Sequence, residues 1–332
     1  MSIRSTPLIF RLKRRLRGIQ VYSDLTYRTA YGFDATGIRG NCRAVVFPES
    51  REHLTRIAAE SASLGLSMVV RGSGTGFSGG SVPPENSIVV STERMNRILS
   101  FNPFDEEVEV ESGVVNGRLQ QFLEGEGFFY PPDPASFRVS TIGGNIAENA
   151  GGPRAYRYGV TRRYVRSLKW ILPGGESGRS GVRGISALMS GSEGTLGIIY
   201  SAVLGVLPIP ESRVAFLLEG ESDRQAIGLS IELLRRGFRP SVLEFIDSKT
   251  IGCVSEYLEL ENFIGARASL FFEVEGTVEE TSGQRAIIDS FCGGRGLRLI
   301  TATSDRNREL LWELRRSISP SLARRGVTKV NE

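Results

Sequence analysis

The chain has 332 residues, 40% of them apolar and 23% charged, with a formal net charge of +4. That length suits about two domains of ordinary size, and that balance describes a globular protein able to bury a sizeable core. No run of 18 apolar residues occurs, which argues against a membrane-spanning helix, and the small, dispersed positive charge leaves no footprint for nucleic acid.

In chain order, residues 4–17 come first, with six basic residues and no acid. They read as a solvated helix with a basic face; a membrane-surface helix and an Arg-rich targeting segment are the competing readings. Residues 1–24 are set apart as this basic segment. Strands are expected over 44–47, 67–70 and 87–91, with a helix over 50–64 closed by Gly65. A strand over 107–112 (EVEVES), a helix over 115–125 and strands over 165–172 and 195–207 follow. The breaker Pro208-Ile-Pro210 closes a first domain spanning 25–210. Beyond it, strands over 214–218, 242–246, 268–274 and 296–300 alternate with helices over 223–236, 278–291 and 305–317. This makes a second, α+β domain over 211–332 of split β-α-β type.

Three glycine-rich segments carry the chemistry: RGSGTGFSGG at 71–80, TIGGNIAENAGG at 141–152 and GSEGTLGII at 191–199. Glycine lets backbone amides approach a bulky anion and turn inward together. Gly74 to Gly79 matches GxGxxG, with Glu93 at a plausible ribose-binding distance. That motif should open a helix, however, and Pro83-Pro84 and a strand follow instead. No Lys-Ser/Thr follows, which removes a Walker A loop. What remains is a nest of amides over 72–76 with the hydroxyls of Ser73, Thr75 and Ser78, suited to a pyrophosphate. Arg71 either neutralises its charge or packs on the strand end.

Other chemistries lack material. The one histidine, His53, lies on a helix and reads as structural or inert, so two-histidine metal sites are excluded. Cys42, Cys253 and Cys292 are scattered, which points to a reducing, cytoplasmic compartment and to no zinc or iron–sulfur cluster held by this chain. No metal site is expected.

Taken with YPPDPAS (130–136) and TIGGNIAENAGGPRAYRYGVTR (141–162), the three segments resemble the vanillyl-alcohol-oxidase superfamily of flavoproteins with a PCMH-type FAD domain. The similarity is greatest to the glycolate oxidase D-subunit, D-lactate and D-2-hydroxyglutarate dehydrogenase branch, and it runs from about residue 25 to the end. It implies an α+β fold: a two-subdomain PCMH-type FAD-binding domain, then part of a substrate cap. It also implies that Arg71, Gly72, Ser73, Gly74, Thr75, Gly76 and Ser78 form the pyrophosphate loop. Pro132, Asp133, Ser136, Thr141, Gly143, Gly144, Asn145, Asn149 and Gly152 would wall the ribityl chain and isoalloxazine. Glu193, Gly197 and Ile198 would reach the adenosine half. Thr75 stands where histidyl-linked members carry His, which implies noncovalent FAD. In the cap, Arg315, Ser319 and Lys329 fall where substrate carboxylates are bound, a task suited to a guanidinium fork and an ammonium.

The resemblance therefore implies an FAD-dependent oxidoreductase acting on a small 2-hydroxy acid, with hydride passing from substrate Cα to the flavin. Two departures bear on this. The 173–191 segment is shorter than the family's, and the family continues past residue 332 with a His-rich motif that supplies the base. The expectation is a C-terminally truncated chain completed by a second polypeptide. Electrons would pass to a quinone, an iron–sulfur protein or a flavoprotein, with peripheral contact to the inner membrane through the basic segment. The alternatives are a noncatalytic flavin-binding subunit or remnant, and a transferase in which flavin assists without net redox.

Overall fold

A computed structural model describes residues 6–181, 183–259 and 267–326. In strand Ala44–Phe47, Ala44 and Val46 turn into one core while Val45 and Phe47 turn into another, and the whole strand is buried. A strand buried on both faces belongs inside a parallel sheet covered on both sides. Ser87–Ser91 lies between it and Ser67–Arg71, parallel to both, and Gln20–Tyr22 adds an antiparallel edge. Helix Arg51–Ser63 makes the crossover. The Ser50 side chain caps it by accepting from the His53 amide, and Leu54, Ile57 and Ala58 face inward.

The opening helix, Thr6–Arg15, belongs to the same core. Ile9 and Leu12, with Leu16 and Ile19 just beyond the helix, pack there, and Leu12 and Leu16 have no exposure. Each such side chain contributes about 1.5–3 kcal/mol when fully buried. Arg15 pairs with Glu60 at 2.8 Å, and Arg56 donates to the Arg17 carbonyl at 3.0 Å. The apolar positions Ile9, Leu12, Leu16 and Ile19 are thus covered by protein, as the reading of a solvated helix with a basic face expects. Arg11, Lys13, Arg14 and Arg17 remain as an exposed basic face.

A second, antiparallel sheet runs in the order Ile98–Asn102, Glu107–Glu111, Ile198–Gly205, Val165–Ile171, Ser177–Gly181. Val108 and Val110 are buried. Glu109 accepts from Lys169 Nζ at 2.5 Å, and Glu111 is forked by Arg97. The strand expected over 195–207 begins only at Ile198, because Glu193 (φ 53°) and Gly194 (φ 77°) are still turning the chain. It ends at Gly205, and Leu207–Pro208 pairs separately with Phe128–Phe129.

The chain divides into two compact units: residues up to 152 with 160–208, and residues 153–159 with 209 onward. In the second, four antiparallel strands run Val242–Ile246, Ser269–Gly276, Ser212–Glu219, Leu299–Ala302. Alternation sends Phe216, Leu218 and Phe272 under helices Asp223–Arg235 and Val278–Gly293. It sends Ala215, Leu217 and Phe271 toward helices Ser248–Tyr257 and Asp305–Arg316. The strand expected over 296–300 lies at Leu299–Ala302, since Gly296 (φ 64°) is still turning out of the preceding helix. Helix Ser248–Tyr257 was not expected. Its signal is Asp247, whose carboxylate accepts from the Lys249 and Thr250 amides.

Candidate cofactor site

The first glycine segment leaves the buried end of strand Ser67–Arg71. Its backbone runs against the second segment so closely that a Cβ on Gly72 would stand 2.1 Å from Thr141 Oγ1. At Gly74 the backbone adopts φ 69°, and a Cβ there would meet Arg71 Nη2 at 2.1 Å. The Arg71 guanidinium therefore lies directly beneath the loop. It is 6% exposed, donates to the Phe33 carbonyl at 2.6 Å and sits 5.6 Å from the Tyr31 ring. Tyr31 in turn donates to Glu93 at 2.8 Å. Burial pushes Arg71 below its ordinary value, and no carboxylate among the described residues forms an ion pair with it. Among the same residues, the backbone N–H groups from Ser73 to Gly80 donate to no protein acceptor.

A buried cation with no direct ion pair among the described residues, under a row of unpaired amides, is a cradle for a bulky anion. Two expected donors are turned elsewhere. Ser73 Oγ donates to the Val139 carbonyl at 2.5 Å, and Ser78 Oγ lies 3.2 Å from both oxygens of Glu148. Thr75 keeps its hydroxyl unpaired among the described residues.

The second segment is only partly a loop. Thr141 caps the short helix Ile142–Glu148 by accepting from the Gly144 amide at 3.3 Å. Gly143 donates to the Ser112 carbonyl at 2.7 Å, a contact that leaves no room for a side chain. Asn145 is 4% exposed, and its Nδ2 has no hydrogen-bond partner. Asn149 ends the helix in the left-handed region, with Oδ1 accepting from the Arg162 amide at 2.9 Å. Gly152 sits against Asp133, whose carbonyl and carboxylate oxygens lie 2.4 Å from where a Cβ would stand. Pro132 accepts from Asn116 Nδ2 at 3.1 Å, and the Ser136 carbonyl takes the Val139 and Ser140 amides.

The third segment docks onto the helix that the second one forms. Gly191 donates to the Ile146 carbonyl at 3.0 Å and Glu193 to that of Ala147 at 2.9 Å. Gly197 packs on the Ile171 carbonyl, and Ile198 is a buried member of the first core. Beside this segment a cavity of about 150 Å³ is lined by Met68, Val70, Pro173, Thr195 and Ile198. The structure thus brings all three glycine segments into one place.

Two acids were not expected there. Glu148 tucks its carboxyl against Ser78 while the rest of the side chain stays exposed; local burial pushes that carboxyl up, and Glu193 adds to the effect. Asp34 is 3% exposed, and one of its oxygens has no partner. The signal for Asp34 is faint: one acid in the GFDATG stretch ahead of the first sheet's central strand.

In the second unit Arg315 is 8% exposed on helix Asp305–Arg316. Its fork closes on Glu244, with Nε to Oε2 at 2.6 Å and Nη2 to Oε1 at 2.9 Å. The fork expected for a substrate carboxylate is therefore filled by a protein one, because Glu244 lies on the sheet face this helix covers. Ser319 is exposed on helix Ile318–Arg324, and Lys329 lies outside the described residues. The FFEVEG strand places Glu273 and Glu275, both buried, on one face. There Trp312 Nε1 donates to Glu273 at 2.7 Å, and Arg213 lies 3.2 Å from Glu275. No group of three or more metal-binding side chains occurs among the described residues.

Comparison with known proteins follows this division. The family profile described as "FAD binding domain" matches residues 42–180, and that of "FAD linked oxidases, C-terminal domain" matches 209–332. The glycolate oxidase subunit GlcD of Bacillus subtilis (strain 168) is 34% identical over 315 residues, covering 92% of this chain and 67% of that protein. The D-lactate dehydrogenase of Anaerostipes hadrus is 33% identical, covering 80% of this chain and 55% of its own length. Among solved structures, an alkyldihydroxyacetonephosphate synthase superposes with a TM-score of 0.77 over 95% of this chain and 64% of its own. At 20% identity it bears on the fold alone.

Proposed function

Because this chain belongs to the family of FAD-linked oxidases, we propose that it is the FAD-binding component of a flavin-dependent 2-hydroxyacid dehydrogenase. The observation that carries the reading is Arg71: a buried guanidinium with no direct ion pair among the described residues, lying under the unpaired amides of the first glycine loop. A pyrophosphate supplies the missing charge. Thr75 offers no bond to a flavin of the histidyl-linked kind, so the cofactor is held noncovalently. The cavity beside Thr195 and Gly197 suits the adenine end. Asn145, with its unused Nδ2, faces a cofactor acceptor.

FAD, when bound, supplies a hydride acceptor for the substrate Cα. The chain's own task is to hold that acceptor and to bind a glycolate- or D-lactate-like acid through Arg315, Ser319 and Lys329. For Arg315 this means exchanging Glu244 for a substrate carboxylate. His53 is a poor candidate for the base: its Nδ1 accepts from the Glu49 amide at 3.3 Å. The base is assigned to a second polypeptide or to chain beyond the described residues, and the electrons to a quinone, an iron–sulfur protein or a flavoprotein acceptor. The reading places this work in the cytoplasm. No helix of the described residues is long and apolar enough to cross a membrane. Contact with a membrane surface would use the exposed basic face of Arg11, Lys13, Arg14 and Arg17.

The test is direct. Purified protein, as isolated or after FAD titration, is expected to show the two visible bands of oxidised flavin, released by acid. Protein that takes up no FAD overturns the reading. Gly74→Val is expected to abolish retention, because a side chain there collides with Arg71. D-lactate, glycolate and D-2-hydroxyglutarate are expected not to bleach the flavin in this chain alone; rapid bleaching would show that a base is already in place.

A further inference from the structure

Among the described residues, Asp34 is the one carboxylate at the cradle that is nine-tenths buried, and one of its oxygens is unused. Oδ1 accepts from the Thr36 amide at 2.9 Å and from Thr36 Oγ1 at 2.5 Å, closing a tight local turn. Oδ2 has no hydrogen-bond partner, and the residue is 3% exposed. The position is set by the cradle itself. The carbonyl of Phe33, one residue earlier, receives the Arg71 guanidinium at 2.6 Å. The charge of Asp34 is felt both by Arg71 under the loop and by Glu148 at the end of the helix opposite. The residue carrying the unused oxygen thus adjoins the carbonyl on which the guanidinium under the loop is anchored.

A buried carboxylate oxygen without a donor is costly, and such groups persist where a ligand supplies the donor. Phosphate cannot, since it only accepts. A hydroxyl can, and FAD carries hydroxyls on its adenosine ribose and on its ribityl chain. We propose that Asp34 Oδ2 accepts a hydrogen bond from a sugar hydroxyl of the bound cofactor, so that Arg71 and the loop amides hold the phosphates while Asp34 holds the polyol beside them. This inference rests on the FAD reading above.

Apoprotein is titrated with FAD by flavin fluorescence, comparing wild type with Asp34→Asn. Asparagine keeps an acceptor for Thr36 but loses the charge-assisted acceptor facing the ligand. The expected result is about tenfold weaker FAD binding, with an apoprotein melting temperature unchanged or raised, because a buried charge has gone. A merely structural Asp34 predicts the reverse: a lowered apoprotein melting temperature and unchanged FAD affinity. Competition with ADP and with FMN separates the two hydroxyl sources. Weakening confined to ADP assigns the ribose, and weakening confined to FMN assigns the ribityl chain.

A measurement on the wild type stands even if the variant does not fold. ADP is compared with 2′-deoxy- and 3′-deoxy-ADP, and riboflavin with lumiflavin, which differ in the polyol alone. Equal affinities within both sets mean that only water meets Oδ2, and the proposal fails. If wild type itself binds no FAD, the function reading fails; if wild type and Asp34→Asn bind FAD equally, only the role of Asp34 does.

Discussion

Arg71 shows how a single side chain distinguishes a ligand site from a loop. A guanidinium without a carboxylate partner at 6% exposure is a liability in the free protein. Arg71→Met is therefore expected to leave the apoprotein as stable as before or more so, while lowering FAD affinity at least a hundredfold, read by urea melts and by fluorescence titration. A structural arginine would give the opposite pair of results. Glu148 makes a second prediction. Its carboxyl is raised, so the folded chain holds that proton to higher pH than the unfolded chain does. The stability it contributes is complete below the ordinary glutamate value of about 4.3 and is lost as pH rises through the raised one. Glu148→Gln is expected to flatten that part of the apoprotein's stability–pH curve, measured by denaturant midpoints across the mildly acidic range. At this scale the sequence exposed the glycines and Arg71, because their spacing is local. It hid Asp34 and Glu148, whose meaning depends on elements distant in the chain.

The first helix makes the same point for elements. Its composition fitted three uses, since a basic amphipathic pattern records which residues are apolar and not what they touch. Packing with Leu54 and Ile57 accounts for its apolar positions and leaves the basic face outward, as the solvated-helix reading expects. Leu12→Ala is expected to cost about 2–5 kcal/mol, whereas Arg14→Glu on the exposed face should change stability by less than about 0.5 kcal/mol; urea denaturation of the pair checks both. The TIGGNIAENAGG segment is a second case. Two adjacent glycines lower helix propensity by about 1 kcal/mol each, which by itself argues against a helix at this position. Thr141 as a cap, and the close approach of Gly143 to Ser112, account for a helix there. Strand limits at 195–198 and 296–299 were misplaced for a related reason: left-handed residues turn the chain without any change in hydrophobic pattern.

For the whole molecule, ligand linkage is the useful observable. A cofactor that binds only the folded first unit stabilises it by about 2.7 kcal/mol at a hundred times its dissociation constant. Hydrogen exchange with and without FAD is expected to show added protection concentrated over 71–80, 141–152 and 191–198. Protection confined to the second unit would contradict the placement of the site.

The sequence by itself determined the α+β class, the family and most of the core strands and longer helices, because hydrophobic period and glycine spacing are properties of neighbouring residues. Only the tertiary structure decided which charges are compensated. It closed the Arg315 fork on Glu244, turned Ser73 and Ser78 toward protein acceptors, left Arg71 without an ion-pair partner among the described residues and left Asp34 Oδ2 without a hydrogen-bond partner. The reason is physical: compensation is set by which groups lie within about 4 Å, and those groups come from segments tens of residues apart.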